Sequence, residues 1–181
     1  AVAWTAAGHP LLRVIDLVPD DDGCPDGQRS WSAGRLLYSL EVPEEYWGFA
    51  EGDVAIDGSG SWLLSTSPDD KQLALWELPL PCGHQDLLSE PRTVKLGCSP
   101  DGPLAVDPDG DRAFVLCSKA ATVVTVDGLS TDEPTVSRRV LSMRRPSDIV
   151  YEPVSDTIWV ASPAGGKVKG FPAGGGSAVT Y

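Results

Sequence analysis

Along most of the chain, hydrophobic residues alternate with polar ones in runs of about four to eight residues, separated by glycine or proline. A period of two is typical of β-strands, and no long stripe with the helical period of about 3.6 residues is present. The clearest unit spans residues 103–143. It predicts strands at residues 104–107, 112–117, 121–126 and 135–142. The pattern therefore predicts an all-β protein.

The same order of strands and turns recurs on either side of this unit, in residues 53–97 and 147–181. In each copy the first strand ends at a residue that we take as equivalent. These residues are Asp57, Asp107 and Tyr151, which lie 50 and then 44 residues apart. Repeats of this length, made of short strands, are typical of propeller blades.

Residues 1–45 predict a further, incomplete blade, with three strands but no innermost one. The chain thus predicts a single β-propeller-like domain over residues 1–181, a propeller or partial propeller of about four blades of four antiparallel strands. A ring closes with about four to eight blades, so three arrangements stay open: a four-bladed ring, a half ring completed by another copy or chain, and part of a longer propeller. The missing inner strand would leave an unpaired edge, which favours a protein partner or self-association.

Residues 104–115, in which the turn Asp107-Pro108-Asp109-Gly110 joins two apolar strands, resemble the YVTN-type propeller repeat. Residues 146–171 resemble the related NHL repeat, with Ile158-Trp159-Val160 in the second strand. The resemblance covers about residues 53–181 and implies the propeller fold. These families include lyases, lactonases, electron carriers and scaffolds, so the resemblance implies no single activity.

Charge restricts the partners that the protein can bind. The 26 acidic residues outnumber the 14 basic ones, and the formal net charge is −12. Such a surface repels phosphate backbones and anionic membranes, so we expect no nucleic-acid binding. No apolar run approaches the length of about 18 residues that spans a membrane, so we expect no membrane insertion. The start of the chain does not resemble a signal peptide, and its first residue, Ala1, leaves N-terminal processing open.

Cysteine pairing bears on the compartment. The four cysteines allow three pairings under oxidising conditions: Cys24, Cys82, Cys98 and Cys117. We favour Cys82 with Cys98, because they flank a segment that joins one predicted blade to its next strand. The alternative is that Cys117, inside an apolar run, is a buried free thiol. Disulfides would favour an extracellular or periplasmic location. Cys82 and His84 would also offer two zinc ligands, but their spacing matches no closed zinc motif.

Three alternate carboxylates around one glycine turn form the only candidate metal site that we single out, at Asp107, Asp109 and Asp111. Closely spaced carboxylates suit a hard cation such as calcium, although the further oxygen ligands of a calcium loop are missing here. The same residues are ordinary for a hairpin turn, which is the interpretation we favour. We expect no other cofactor.

Aromatic residues outside the clear strands form a candidate protein interface, at Trp31, Tyr46, Trp47 and Phe49. Neighbouring glutamates would give these aromatic anchors an acidic rim, as suits a protein interface. The alternative is that they plug an end of the ring or cover an edge. Trp62 and Trp159 lie on predicted second strands, where facing blades pack, so we expect them in the core.

No catalytic set of residues is evident from the sequence. No nucleophile elbow, phosphate-binding loop or dinucleotide fingerprint is present. The sequence therefore favours a non-catalytic propeller scaffold or protein-binding module, completed by or docked on another chain. An enzyme of the lyase, lactonase or glycosidase type, with its active site in loops at one ring face, is the first alternative. A cation-stabilised secreted module is the second.

Overall fold

The computed structural model describes residues 2–5, 11–15, 36–41, 44–50, 52–57, 61–77, 90–108 and 111–180. These residues form fifteen strands and two short 3-10 helices, Glu44–Ala50 and Pro163–Gly165. In chain order the strands are β1 (Val2–Thr5), β2 (Leu11–Ile15), β3 (Leu36–Glu41), β4 (Val54–Ile56), β5 (Trp62–Ser67), β6 (Gln72–Glu77), β7 (Arg92–Lys95), β8 (Leu104–Val106), β9 (Arg112–Cys117), β10 (Thr122–Asp127), β11 (Thr135–Val140), β12 (Asp148–Glu152), β13 (Thr157–Ser162), β14 (Lys167–Pro172) and β15 (Val179–Thr180). Among these residues, no helix is long and apolar enough to cross a membrane.

The strands form four antiparallel meanders, in which each strand pairs with the next one in the chain. We name them sheet I (β1–β3), sheet II (β4–β7), sheet III (β8–β11) and sheet IV (β12–β15). The second strands of sheets II and III are buried at every position but the first, because a further layer covers each of their faces. The predicted all-β fold with blade-like sheets is confirmed.

The hairpin register corrects the repeat alignment. Asp57 and Asp107 each donate their backbone N–H to the carbonyl oxygen five residues later, at 3.0 Å. In sheet IV, the pair with this spacing begins at Glu152, which lies opposite Thr157. The predicted equivalence of Tyr151 with Asp107 is therefore wrong by one residue. The alternation of apolar residues fits either alignment, and only the cross-strand pairing distinguishes them.

The order of the inner strands corrects the prediction for the first blade. Strand β4 contacts β8, and β8 contacts β12, so the first strands of successive sheets lie side by side. Strand β1 contacts β4 in the same way, which makes it the inner strand of sheet I. The predicted lack of an inner strand is therefore wrong. Within the described part of the chain, sheet I has three strands, and the position that it leaves unfilled is the outer one.

Two apolar cores hold the sheets together. The core between sheets II and III consists of aliphatic residues and Cys117: Leu64, Leu73, Leu75, Val94, Leu96, Leu104, Ala113, Val115, Cys117, Val124, Val126 and Leu129. The core between sheets III and IV contains Phe114, Leu116, Val123, Leu141, Ile149, Ile158, Val160 and Phe171. Burying one such large side chain contributes about 1.5–3 kcal/mol. These cores make sheets II to IV a continuous stack.

A disulfide joins Cys98 to Cys117, with 6.1 Å between the two Cα atoms. The predicted pair of Cys82 with Cys98 is therefore wrong, because Cys98 is bonded to another partner; Cys82 itself lies outside the described residues. Cys117 is not a free thiol either. It projects from β9 into the core between sheets II and III, where it meets Cys98 in the link after β7. The bond ties sheet II covalently to sheet III.

Candidate functional site

Within the described part of the chain, one face of sheet IV packs in a core against sheet III. Along β13, every second residue is buried, starting at Ile158, whereas the residues between them are partly exposed. The buried face also includes Ile149 and Phe171, and it packs on sheet III. We call the opposite side of sheet IV its open face.

The open face carries an apolar row across all four strands. Val150 pairs with Trp159, Trp159 with Gly170, and Gly170 with Val179, and paired residues of antiparallel strands project to the same side. Val150 and Val179 are 59% and 53% exposed. Gly170 leaves room for the half-buried indole of Trp159, since a Cβ atom there would lie 2.9 Å from the indole ring. Val168, which is 42% exposed, lies beside this row.

In sheets II and III, the positions that are equivalent to Trp159 are covered by the next sheet. Trp159 pairs with a residue nine positions earlier, as Leu64 and Phe114 do in sheets II and III. Leu64 and Phe114 are both fully buried, because the next sheet in the stack packs on them. Trp159 itself is partly buried and belongs to neither of the two described cores, in which we expected to find it. Trp62 does pack against the core between sheets II and III, below the guanidinium of Arg92 at 4.5 Å.

A cleft with two basic residues lies on the side of sheet IV that faces sheet III, where Lys167 pairs with the buried Ser162. Arg144 and Lys167 are exposed and line this cleft of about 440 Å³ between the link that follows β11 and the turn between β13 and β14. In that cleft, the hydroxyl of Ser162 donates to the carbonyl oxygen of Arg144, and Lys169 Nζ donates to Ser142 O at 3.1 Å. These two hydrogen bonds therefore join the two walls of the cleft.

A cluster of charged and aromatic side chains joins sheet III to sheet IV. Arg112 donates to Asp107 at 2.6 Å, to the hydroxyl of Tyr151 at 2.7 Å and to Asp156 at 2.8 Å. Tyr151 in turn donates to Asp156 at 2.7 Å and stacks on Phe114, with 4.8 Å between the ring centroids. The cluster fixes sheet IV in place through both packing and charge-assisted hydrogen bonds.

The same cluster shifts the pKa values of its members. Burial, and then the hydrogen bond to Asp156, raises the pKa of Tyr151 to about 12. The hydrogen bonds from Tyr151 and Arg112 lower the pKa of Asp156. Burial acts to lower the pKa of Arg112, but its hydrogen bonds to the two carboxylates outweigh burial and raise it. The phenol therefore stays neutral and the carboxylate charged across the physiological range.

Two residues of the predicted metal site bind other side chains or backbone groups of the chain. Asp107 is buried and forms an ion pair with Arg112 at 2.6 Å. Asp111 accepts hydrogen bonds from the backbone and hydroxyl of Ser130, at 2.6 and 2.7 Å. Asp109 lies outside the described residues. The described part of the chain contains no cluster of three His, Cys, Asp or Glu residues arranged to hold a metal. A calcium site at this turn stays a prediction.

The predicted aromatic interface is partly packed inside the chain. Phe49 is buried, and its ring meets Trp76 edge to face at 6.3 Å; Tyr46 does the same at 5.4 Å. Both belong to the 3-10 helix Glu44–Ala50, which packs on sheet II. Trp47 is partly exposed, and Trp31 lies outside the described residues. The alternative that these residues cover part of the fold therefore describes Phe49, whereas an interface at Trp47 stays a prediction.

Sequence reasoning missed the open face and the cluster around Arg112. Trp159, Phe114 and Leu64 lie at equivalent positions of their repeats, so the sequence alone predicts the same burial for all three. Among the described residues, the next sheet covers Leu64 and Phe114, whereas Trp159 is only partly buried. The cluster around Arg112 could not be predicted from a local pattern, since Arg112 and Asp156 are 44 residues apart in the sequence.

No family profile and no curated protein matches the chain. Solved structures do match, at low sequence identity. A chain of the nidogen–laminin complex aligns with a TM-score of 0.59 and 12% identity, over 99% of this chain and 60% of that one. The β-propeller domain of Cps50 (Swd1) from Myceliophteria thermophila aligns with a TM-score of 0.57 and 13% identity, over 98% and 54%. Hydrazine synthase from Kuenenia stuttgartiensis aligns with a TM-score of 0.55 and 16% identity, over 71% and 35%.

These similarities establish a fold of the β-propeller type and no particular repeat family. The chain spans 35% to 60% of the length of the three chains that it matches. Its four sheets thus correspond to part of each longer structure.

Proposed function

We propose that this chain is a non-catalytic protein-binding module, an arc of propeller sheets that binds a β-sheet of another polypeptide on the open face of sheet IV. The observation that carries the proposal is the exposure of Val150, Val168 and Val179 at one side of a sheet whose other side is a packed core. Apolar side chains that lie together and remain exposed are typical of protein interaction sites.

The repeat geometry indicates what kind of surface would fit. In sheets II and III, the equivalent face is covered by the aliphatic residues of the following sheet. A partner that presents a sheet with β-branched or aliphatic residues would pack here in the same way. Covering a valine that is already about half-buried contributes roughly half of the about 1.5 kcal/mol of complete burial, so the row of valines supports binding only together with the surrounding contacts. One of the similar structures, the nidogen–laminin complex, is itself an assembly of two proteins.

A photoreactive benzoylphenylalanine at position 150 tests the proposal. In cells of the native source, the label should form crosslinks to a polypeptide, because Val150 lies on the open face and is 59% exposed. The matched control carries the same label at Val154, which is 95% exposed but lies in the turn after β12. Crosslinking at position 150 that does not exceed crosslinking at position 154 would refute the proposal.

A further inference from the structure

The cleft between the link after β11 and the turn after β13 carries two positive charges. Arg144 and Lys167 both line it, and no carboxylate is found among the described residues of its lining. The ion pairs that the described residues form involve Arg112 and Lys119 instead. Two like charges at one cleft repel each other, so an anion bound there would relieve an unfavourable interaction.

The acidic residues of this part of the chain are engaged elsewhere. Residues 134–181 contain three of them. Asp148 lies two residues before Val150 on β12, so it projects to the open face, away from the cleft. Glu152 accepts hydrogen bonds from the backbone of the turn after β12, and Asp156 belongs to the cluster around Arg112. Sheet IV therefore provides no counter-ion for the cleft from among its described residues.

The carbonyl oxygens of the cleft walls already have donors. The Ser162 hydroxyl donates to the carbonyl oxygen of Arg144, and Lys169 Nζ donates to that of Ser142 at 3.1 Å. The Ser162 hydroxyl oxygen in turn accepts from the backbone N–H of Gly165 at 3.2 Å. The guanidinium of Arg144 and the ammonium of Lys167 can only donate. The polar groups left for a ligand are thus cationic donors, which suit an anion.

An apolar wall completes the cleft. Leu141, which is only 3% exposed, belongs to the core between sheets III and IV, and Met143 packs against that core. Both residues line the cleft. Its volume of about 440 Å³ lies within the range of about 300–1,000 Å³ that is typical of small-molecule sites. The cleft therefore suits an anion that also carries an apolar group.

We propose that this cleft binds a small organic anion, with a phosphate or carboxylate group at Arg144 and Lys167 and an apolar group against Met143. The planar guanidinium matches two oxygens of either group, and the ammonium adds a second positive charge. The site lies on the opposite side of sheet IV from the open face, because Lys167 pairs with the buried Ser162. A polypeptide on the open face and an anion in the cleft thus occupy different surfaces.

Nuclear magnetic resonance of Met143 tests this site directly. Met143 is the single methionine of the sequence, so isotope labelling of methionine methyl groups gives one signal from the cleft wall, once any initiator methionine has been removed. Titration with phenyl phosphate or phenylacetate at low salt should shift this signal saturably, with a Kd of about 1 mM or lower for at least one of them. The tighter ligand identifies the preferred anionic group. Phenol has the same ring without the charge and should produce no saturable shift.

Two variants separate the cleft from its surroundings. R144Q/K167Q removes both charges and should raise the Kd of the anion about tenfold or more, since the charge-assisted hydrogen bonds are lost. R145Q is the matched control, because Arg145 is exposed and adjacent but does not line the cleft; it should change the Kd by about twofold at most. Circular dichroism establishes that each variant is folded.

Three results would overturn the assignment of this site. The first is the lack of a saturable shift of the Met143 signal with either anion at up to about 10 mM. The second is an equal response to phenol, which would show that the charge contributes nothing. The third is an affinity of R144Q/K167Q that equals that of the parent chain or of R145Q.

Discussion

Replacement of Cys98 and Cys117 by alanine would remove the covalent bond between the link after β7 and strand β9. We expect this double variant to fold, because the core between sheets II and III keeps its aliphatic residues. We also expect a clear loss of stability. The bond restricts the unfolded chain, and without it the unfolded state gains conformational entropy.

The size of the effect follows from the length of the closed loop. The two cysteines are 19 residues apart. Closing a loop of about 20 residues lowers the entropy of the unfolded chain by about 11 cal/mol/K, which corresponds to about 3 kcal/mol at 25 °C. In a chain of this size, each kcal/mol changes the melting temperature by about 2–4 °C. The double variant should therefore melt about 6–12 °C below the parent.

Thermal unfolding followed by circular dichroism measures this difference. Both proteins are compared without reductant, so that Cys24 and Cys82 are the same in each. The single variant Cys98→Ala is the control for local packing, because it breaks the bond but keeps the buried sulfur of Cys117. It should melt close to the double variant. A double variant that melts within about 2 °C of the parent would refute the loop-closure argument.

Three further changes test other parts of the fold. The lowered pKa of Asp156 stabilises the folded state above the unfolded pKa of about 4, and this contribution should be lost as the pH falls through the lower folded value. The raised pKa of Tyr151 has the opposite effect on stability: its contribution to the free energy of unfolding should be complete below about pH 10 and should be lost as the pH rises towards about 12. Urea unfolding across the pH range measures both contributions. Ser65→Ala should cost about 1–3 kcal/mol in urea unfolding, because it leaves the buried indole N–H of Trp76 without its acceptor at 2.7 Å. Gly52→Ala should lower the melting temperature by several degrees, since its Cβ would lie 1.8 Å from a backbone carbonyl oxygen of β5; an unchanged melting temperature would contradict that close approach.

The position of most strands was predictable because the information is local. The second strand of the clearest unit was predicted at residues 112–117 and is found at Arg112–Cys117, and the fourth, predicted at 135–142, is Thr135–Val140. Alternation of apolar residues and tight turns determine such boundaries without reference to the rest of the chain. The pairing of one strand or cysteine with another depends on residues that are far apart in the sequence. The equivalence of Tyr151 was therefore one residue out, and Cys98 was assigned to the wrong cysteine.

The open face of sheet IV was not predicted from the sequence, for a different reason. Phe114 and Trp159 both lie on the second strand of a repeat, paired with a small or β-branched residue nine positions earlier. The local sequence therefore predicts a buried aromatic residue at both positions. Phe114 is buried because sheet IV follows it, whereas Trp159 is half-buried on the open face. Exposure at these positions depends on whether another sheet follows, which the residues themselves do not encode.

The difference in packing between sheets III and IV also predicts which of them opens first. Among the described residues, sheet III has a core on each face and a disulfide to the link beside it, whereas sheet IV takes part in one core and in the cluster around Arg112. In arrays where each unit contacts only its neighbours, the unit with fewer buried contacts opens at the lower free energy. The amides of β13 should therefore exchange with solvent before those of β9. A partner on the open face would slow that exchange, so binding and local folding are thermodynamically linked at this end of the chain.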